Sequence, residues 1–430
     1  GWLKTIHKLK DLKQHPDEPF NHFDWKLDFP EVLNPYLVPD ENQRGFDIVI
    51  GNPPWGAEIS EEQFLKNRLK IRSSTDSSEY FILKSFDTFS KNKTIITFIV
   101  PKSILFANAW HKSRESILNR QIISLGDAGI SFAEVNLESV IFILQNTTYK
   151  PSNYVKIVKF EPLKKFSTNK TLVELNKVDQ KVMKNTSILI VSDIPPLAQK
   201  IIEKIQKTES FLKDFEREVF RGLYIPDKLK ENILNKGEYK YVNKVPHVSL
   251  YSIDKIHRID LSMHLKKFGN IIEKLQRDRI IIKVLRGSKL TCAYATKDVL
   301  TTEKLVNLIV NPKVLNPYYV LSLLNSNLTS FYLGKVLFSD ITETSRVMDD
   351  CYLSKVPIKR ISLTEQIPFI NLVEQILTAK KSNPKADTSS LEQQIDNLVY
   401  RLYDLTYDEV KVIDPDFPLS RQEYEAIRLE

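Results

Sequence analysis

The feature that most constrains this chain is the apolar run FDIVIG, Phe46 to Gly51, which breaks without a spacer into Asn52-Pro53-Pro54-Trp55. A short, continuous apolar run bounded by turn residues is the pattern of a strand buried in a parallel sheet. Proline has no N–H to give and a fixed φ, so two in succession end the strand. The pattern recurs downstream. TIITFIV (Thr94 to Val100) is a second buried strand, halted by Pro101, and QIISLG and ESVIFILQ are two more. Between the first two, SSEYFILKSFDTFSKNK predicts a helix, capped by Ser77 or Ser78, with Tyr80, Phe81, Leu83, Phe86 and Phe89 on its apolar face. NAWHKSRESILNR predicts another. Strands alternating with helices predict an α/β sheet with crossover connections. Upstream, FNHFDWKLDFPEV (Phe20 to Val32) alternates aromatic and polar residues like a short strand.

Beyond about residue 147 the periodicity fades into lysine-rich sequence, and 151–195 is expected to be a connector with some strand. Residues 196–365 mix short strands and helices, an α+β pattern. Two helices follow. Phe369, Leu372, Val373, Ile376 and Leu377 fall at helical spacing in one, and Leu391, Ile395, Leu398, Leu402 and Leu405 in the other. The linker KSNPKADTSS makes them an αα-hairpin within a helical segment, 366–430. No internal repeat is present.

Charge is distributed unevenly. Residues 201–300 hold 21 Lys and Arg against 13 Asp and Glu, so the formal charge of +8 is accounted for by that window alone. A basic region on a neutral body suits a polyanion, because each phosphate neutralised releases counterions; a solvated lysine-rich surface is the plain alternative. No run approaches the length of a membrane span, and the N-terminus lacks the signal-peptide pattern. Cys292 and Cys351 offer neither a disulfide framework nor a zinc cluster, and the seven histidines show no metal-binding spacing. No metal is expected, and the cytoplasm is the expected location.

Asn52-Pro53-Pro54-Trp55 has a chemistry of its own. A planar amine is a poor nucleophile because its lone pair is delocalised into the ring. A site that activates it must accept both N–H bonds and draw the nitrogen towards tetrahedral geometry. Asn52 supplies a neutral side-chain carbonyl, and Pro53 a backbone carbonyl held at one angle. Each proline also pushes the residue before it to extended geometry, which stiffens Asn52 and Pro53. Trp55 offers a π-face on which a base could stack, worth about 1–3 kcal/mol. The group lies just past the carboxyl end of a strand, where open α/β sheets bind ligands. The bland reading is an Asn-Pro turn. At average composition, Asn-Pro-Pro-aromatic would arise by chance in roughly one such chain in a few hundred.

These residues resemble a family. FDIVIGNPPWG is similar to the catalytic motif of the DNA adenine-N6 methyltransferases of the Thermus aquaticus adenine methyltransferase-like and type IIG restriction–modification group. The likeness implies an α/β, Rossmann-like methyltransferase fold over 1–150, a target-recognition domain over 196–365, S-adenosylmethionine as cofactor and base flipping in double-stranded DNA. FDWKLDFPEV resembles the segment that in the family contacts the cofactor's adenine, which maps that role onto Asp28 and Phe29. LGDAGISFAEVNLESVIFIL resembles the later strand pair, in which an aromatic residue stacks on the far face of the extruded base. The matching position is Phe132, whose plain alternative is a core phenylalanine. PYYVLSLLNSNLTSFYLGKV, VFRGLYIP and IIKVLRGSKL resemble the target-recognition domain, and LEQQIDNLVYRLYDLTYDEVKVI its closing helix. Arg221, Lys283, Arg286 and Lys289 are candidate phosphate or base contacts by charge and position, with ordinary surface ion pairs as the alternative.

The chain departs from the family in one respect. The aromatic-x-Gly-x-Gly loop that cradles the cofactor is missing, and no G-x-G occurs anywhere. Either an upstream segment of the same polypeptide supplies it, leaving the fold incomplete at the N-terminus, or the chain is a DNA-recognition module that binds without methylating. A third reading, methylation of RNA or of a protein glutamine, is disfavoured by the basic second half. Other restriction or defence-system subunits are expected partners.

Overall fold

The computed structural model describes residues 25–57, 76–132, 137–162, 170–208, 210–283, 289–338 and 348–429, with positions 7, 10, 13 and 14. Strands β1 (Phe46–Gly51), β2 (Ser90–Pro101), β3 (Arg120–Ile130), β4 (Glu138–Thr148), β5 (Tyr154–Pro162), β6 (Lys170–Glu174) and β7 (Val178–Asp179) make one mixed sheet. Its order is β1-β2-β4-β3-β5-β6, with β7 paired to β5. β1 and β2 are parallel, Val49 opposite Ile96, joined by a crossover that includes helix α1 (Ser77–Lys84). Helix α2 (His111–Leu118) leads into β3. β4 is antiparallel to both neighbours, and β5 runs parallel to β3. The strand predicted within 151–195 is therefore built into this sheet.

Three local expectations change. Ile48 and Ile50 share one face of β1 and remain 64% and 78% exposed, so FDIVIG is not buried on both faces. β1 stands at the end of the strand order, with β2 as its one described neighbour. The segment expected as a strand before β1 instead forms two helical turns, Trp25–Asp28 and Pro30–Leu33. Helical i, i+4 spacing stacks Trp25 on Phe29 at 5.8 Å, whereas four residues of strand would separate them by about 13 Å. Finally, Asp76 rather than Ser77 or Ser78 caps α1, accepting the Ser78 N–H at 3.0 Å. α1 is buried nearly all round: Ile82 is in the core, and Phe81 is the side chain left 47% exposed.

The second half builds a four-stranded antiparallel sheet and a smaller three-stranded one. β8 (Arg217–Arg221) opens the region, followed by β9 (Leu234–Val242), the short pair β10 (Val248–Ser249) and β11 (Ser252–Ile253), and β12 (His257–Ile259). After helix α3 (Leu265–Leu275) come β13 (Arg279–Ile282), β14 (Cys292–Ala295), β15 (Val299–Thr301) and β16 (Val306–Val310). The larger sheet has the order β14-β13-β16-β8, the smaller β12-β9-β15. Arg279 fastens them: its buried guanidinium donates to the Asn307 side chain at 2.8 Å and to the carbonyls of Leu275 and Val299. Burial lowers its pKa to about 10, so it stays charged and structural.

Helices α4 (Pro317–Asn325), α5 (Asn327–Tyr332), α6 (Ile367–Ser382) and α7 (Ser389–Leu402) follow, with shorter helices at Tyr407–Ile413 and Arg421–Ala426 after them. α6 and α7 are the predicted hairpin, burying Phe369, Val373, Ile376, Ile395 and Leu402. One apolar core runs from Ile96 and Phe142 of the first sheet through Ile201 and Ile205 to Tyr332, Tyr400 and Leu405.

Candidate active site

β1 delivers Asn52-Pro53-Pro54-Trp55 to the carboxyl edge of the first sheet. Gly51 makes this possible, because a Cβ there would come within 2.8 Å of the Phe98 ring on β2. Past Gly51, Asn52 is exposed, Pro53 buried, Pro54 exposed and Trp55 half-buried. Ser77, the first residue of α1, clamps the loop. Its Oγ donates to the Pro54 carbonyl at 2.5 Å and accepts the Ala57 N–H at 3.2 Å. The Pro54 carbonyl is thus engaged.

Phe132 meets this loop from the end of β3. Its ring lies edge-on to Trp55, centroids 5.3 Å apart and planes at 77°. Trp55 Nε1 is buried and finds no acceptor among the described residues. The chain leading to Phe132 is held from several sides. Asp127 Oδ1 accepts the Gly129 N–H at 3.0 Å, and Ser139 Oγ donates to the Gly129 carbonyl at 3.0 Å. Lys170 Nζ donates to the carbonyls of Ala128 and, at 2.8 Å, Ile130. Lys102 Nζ sits 2.9 Å from Asp127 and 3.1 Å from Glu138. Burial disfavours the Lys102 charge, but the two carboxylates outweigh it and raise its pKa above the ordinary lysine value.

Trp55 and Phe132 are therefore brought together beside Asn52, while the other expected residues lie elsewhere. Phe29 packs edge-on against Phe46 at 5.4 Å. That is the start of β1, roughly 20 Å of strand from Asn52. Asp28 precedes Phe29 on the neighbouring helical turn, so neither adjoins the Asn52–Trp55 loop. Arg221 is exposed at the end of β8, in a cleft of about 620 Å³ that also takes in Asn108, Lys213, Arg217 and Asp350. Lys283 is half-buried and donates to the Val248 carbonyl at 3.1 Å, and Lys289 is exposed. Arg286 lies outside the described residues. Sequence reasoning missed Ser77 as a loop clamp, and it missed Lys102 altogether. The available signal for Lys102 was a cation directly after the proline that closes a buried strand.

The described residues thus form a mixed α/β sheet with this loop at the end of β1, followed by an α+β region and a helical hairpin. In comparison with known proteins, residues 2–130 match the Eco57I restriction-modification methylase family, and residues 230–358 the TaqI-like C-terminal specificity domain. The chain thus carries one segment that matches each of these two families. A Methanocaldococcus jannaschii protein named as a type II restriction enzyme and methyltransferase is 25% identical over 437 residues, covering 94% of this chain. The chain spans 34% of that relative's length. Among solved structures, the type IIL restriction-modification enzyme MmeI in complex with DNA aligns at a TM-score of 0.49 and 10% identity, covering 92% of this chain and 59% of that one. The type IIG restriction endonuclease BpuSI aligns at 0.32 and 12%, covering 89% and 55%.

Proposed function

We propose that this chain methylates adenine N6 in a specific duplex DNA site, with S-adenosylmethionine as the donor, as part of a restriction–modification or phage-defence enzyme. The observation that carries the reading is the pair of aromatic rings, Trp55 and Phe132, meeting at the loop that holds the exposed Asn52. An adenine inside a duplex is out of reach of such a loop, so the base must be turned out, at a cost of a few kcal/mol. Stacking on the two rings offsets that cost. Asn52 Oδ1 and the Pro53 carbonyl accept the two N–H bonds of the exocyclic amine. Ser77 already engages the Pro54 carbonyl, which leaves Pro53 as the backbone acceptor. No side chain of unusual pKa is required, because positioning supplies most of the effect.

The described residues alone do not fit the cofactor. The chain has no G-x-G, and Asp28 and Phe29 lie at the far end of β1 from the loop. What these residues supply is the acceptor half of the reaction. The recognition region would read the site through basic side chains such as Arg221, Lys283, Arg286 and Lys289, with the DNA backbone neutralised by the excess charge of residues 201–300. The alternative reading is a recognition module that binds DNA without methylating it.

Asn52→Ala in the full-length protein separates the two. Loss of labelled-methyl transfer to duplex DNA with affinity retained is the expected result. Transfer at the wild-type rate would overturn the mechanism. A wild-type protein that binds duplex with a steep salt dependence and transfers nothing would establish the second reading.

A further inference from the structure

We propose that Lys102 is a positioning residue: by tying the end of β3 to the start of β4 it holds the chain that carries Phe132, so that a base enters by rotation of the Phe132 ring against a fixed backbone. This rests on the reading of the Asn52–Trp55 loop as a base-binding site.

Lys102 directly follows the last residue of β2, and its side chain is only 8% exposed. Its two carboxylate partners flank Phe132 in the sequence, Asp127 before it on β3 and Glu138 after it at the start of β4. With Lys102 buried but Asp127 18% and Glu138 50% exposed, these ion pairs are a poor device for stability alone, since desolvating the lysine offsets much of the attraction. What they do supply is a fixed geometry, and here the fixed point adjoins the aromatic pair. Asp127 passes the constraint on. While one carboxylate oxygen takes Lys102, the other accepts the N–H of Gly129, whose φ of +57° falls at a bulge in the pairing of β3 with β4. Ser139, next to Glu138, closes the opposite side: its hydroxyl donates to the Gly129 carbonyl, and its Oγ lies 2.7 Å from Ser131 Oγ, whose hydroxyl it can accept.

The aromatic geometry gives this anchor a purpose. A base held between two rings needs their faces about 7 Å apart, two carbon contact distances of about 3.5 Å. At 77° and 5.3 Å the rings leave no such gap. Either the segment carrying Phe132 swings away, or the ring turns about its own side-chain bonds. The ties at Asp127, Gly129, Ile130 and Glu138 oppose the first movement and leave the second free.

The test is a mutant cycle in the full-length protein, with Lys102→Met introduced beside Phe132 and beside Phe132→Ala. Lys102→Met is expected to lower kcat/KM for labelled-methyl transfer to genomic DNA about tenfold with Phe132 present and less than about twofold without it, since coupled residues are not additive. Lys102→Arg is expected to recover most of the loss. Equal losses in both backgrounds would make Lys102 merely structural and overturn the proposal. Should wild type transfer no methyl group, the functional reading fails, and near-UV circular dichroism still decides the positioning role. The difference between wild type and Phe132→Ala should then vanish in the Lys102→Met background; a difference that persists overturns the proposal. If Lys102→Met does not fold, Glu138→Gln removes one tie at a half-exposed position and takes its place in the cycle under the same criterion.

Discussion

The ring of Phe132 meets the ring of Trp55 edge to face at 5.3 Å, although α1, β2, α2 and β3 separate them in the sequence. If the two bracket a base, Phe132→Ala removes one wall. The expected cost is about 1–3 kcal/mol of base binding, seen as a raised KM for DNA in methyl-transfer kinetics. Trp55→Ala should lower kcat as well, because Trp55 is rigidly continuous with Asn52. A Phe132→Ala protein with unchanged KM would assign Phe132 to packing alone.

Ser77 Oγ is the clamp on the loop, bonded to Pro54 and Ala57. Ser77→Ala should cost only about 1 kcal/mol in thermal stability, the net worth of a typical hydrogen bond. The effect on kcat should be larger than the stability loss implies, because the carbonyl of Pro53 is aimed by the same turn. Parallel melting and kinetic measurements separate the two effects.

Asp396 on α7 is buried and accepts the Asn327 N–H at the start of α5, at 2.8 Å. Burial raises its pKa to about 7 from the ordinary carboxylate value near 4. The folded state therefore binds the proton more tightly than the unfolded chain. Stability is lost as pH rises from about 4 to about 7 and is flat above that. Asp396→Asn keeps an acceptor for Asn327 and removes the ionisation. It should stabilise the protein at pH 8 by roughly 2–4 kcal/mol and leave it unchanged near pH 4. Melting curves of both proteins across that range would refute this if they stayed parallel.

Gly222 follows β8, where the chain passes the edge of β15. A methyl group there would run into the carbonyl oxygens of Thr301 and Thr302, which are backbone and have no room to retreat. Gly222→Ala should destabilise the recognition region by about 3 kcal/mol or more, in the class of severe steric substitutions. Hydrogen exchange should localise the loss to β8, β9 and β15 rather than to the first sheet.

The basic second half predicts a salt dependence. Replacing Arg221 or Lys289, both exposed, by alanine should reduce the slope of log affinity for duplex DNA against log salt by about one each, if each contacts a phosphate. Lys283 already donates to the Val248 carbonyl, so its replacement should disturb the β10 segment more than the slope. Titrations at several salt concentrations measure both.

What the sequence determined by itself is local. Apolar runs closed by prolines marked β1 and β2, helical spacing marked the hairpin of α6 and α7, and Asn52-Pro53-Pro54-Trp55 marked the loop proposed as the site, because strand, helix and turn chemistry act over a few residues. The same local reasoning failed where distant chain decided the outcome. FDIVIG had the composition of a buried strand, yet Ile48 and Ile50 are exposed because burial depends on what packs over a face. FDWKLDFP alternated like a strand, but the rings of Trp25 and Phe29 found Phe46 and Phe89 and formed helical turns beneath them. Ser77 reached back 23 residues to Pro54, and Lys102 reached forward 25 to Asp127. Contacts of that range depend on which loops the sheet order brings to one edge. β4 lies between β2 and β3 and sets Glu138 beside Lys102 and Asp127, an arrangement that no propensity along the chain encodes.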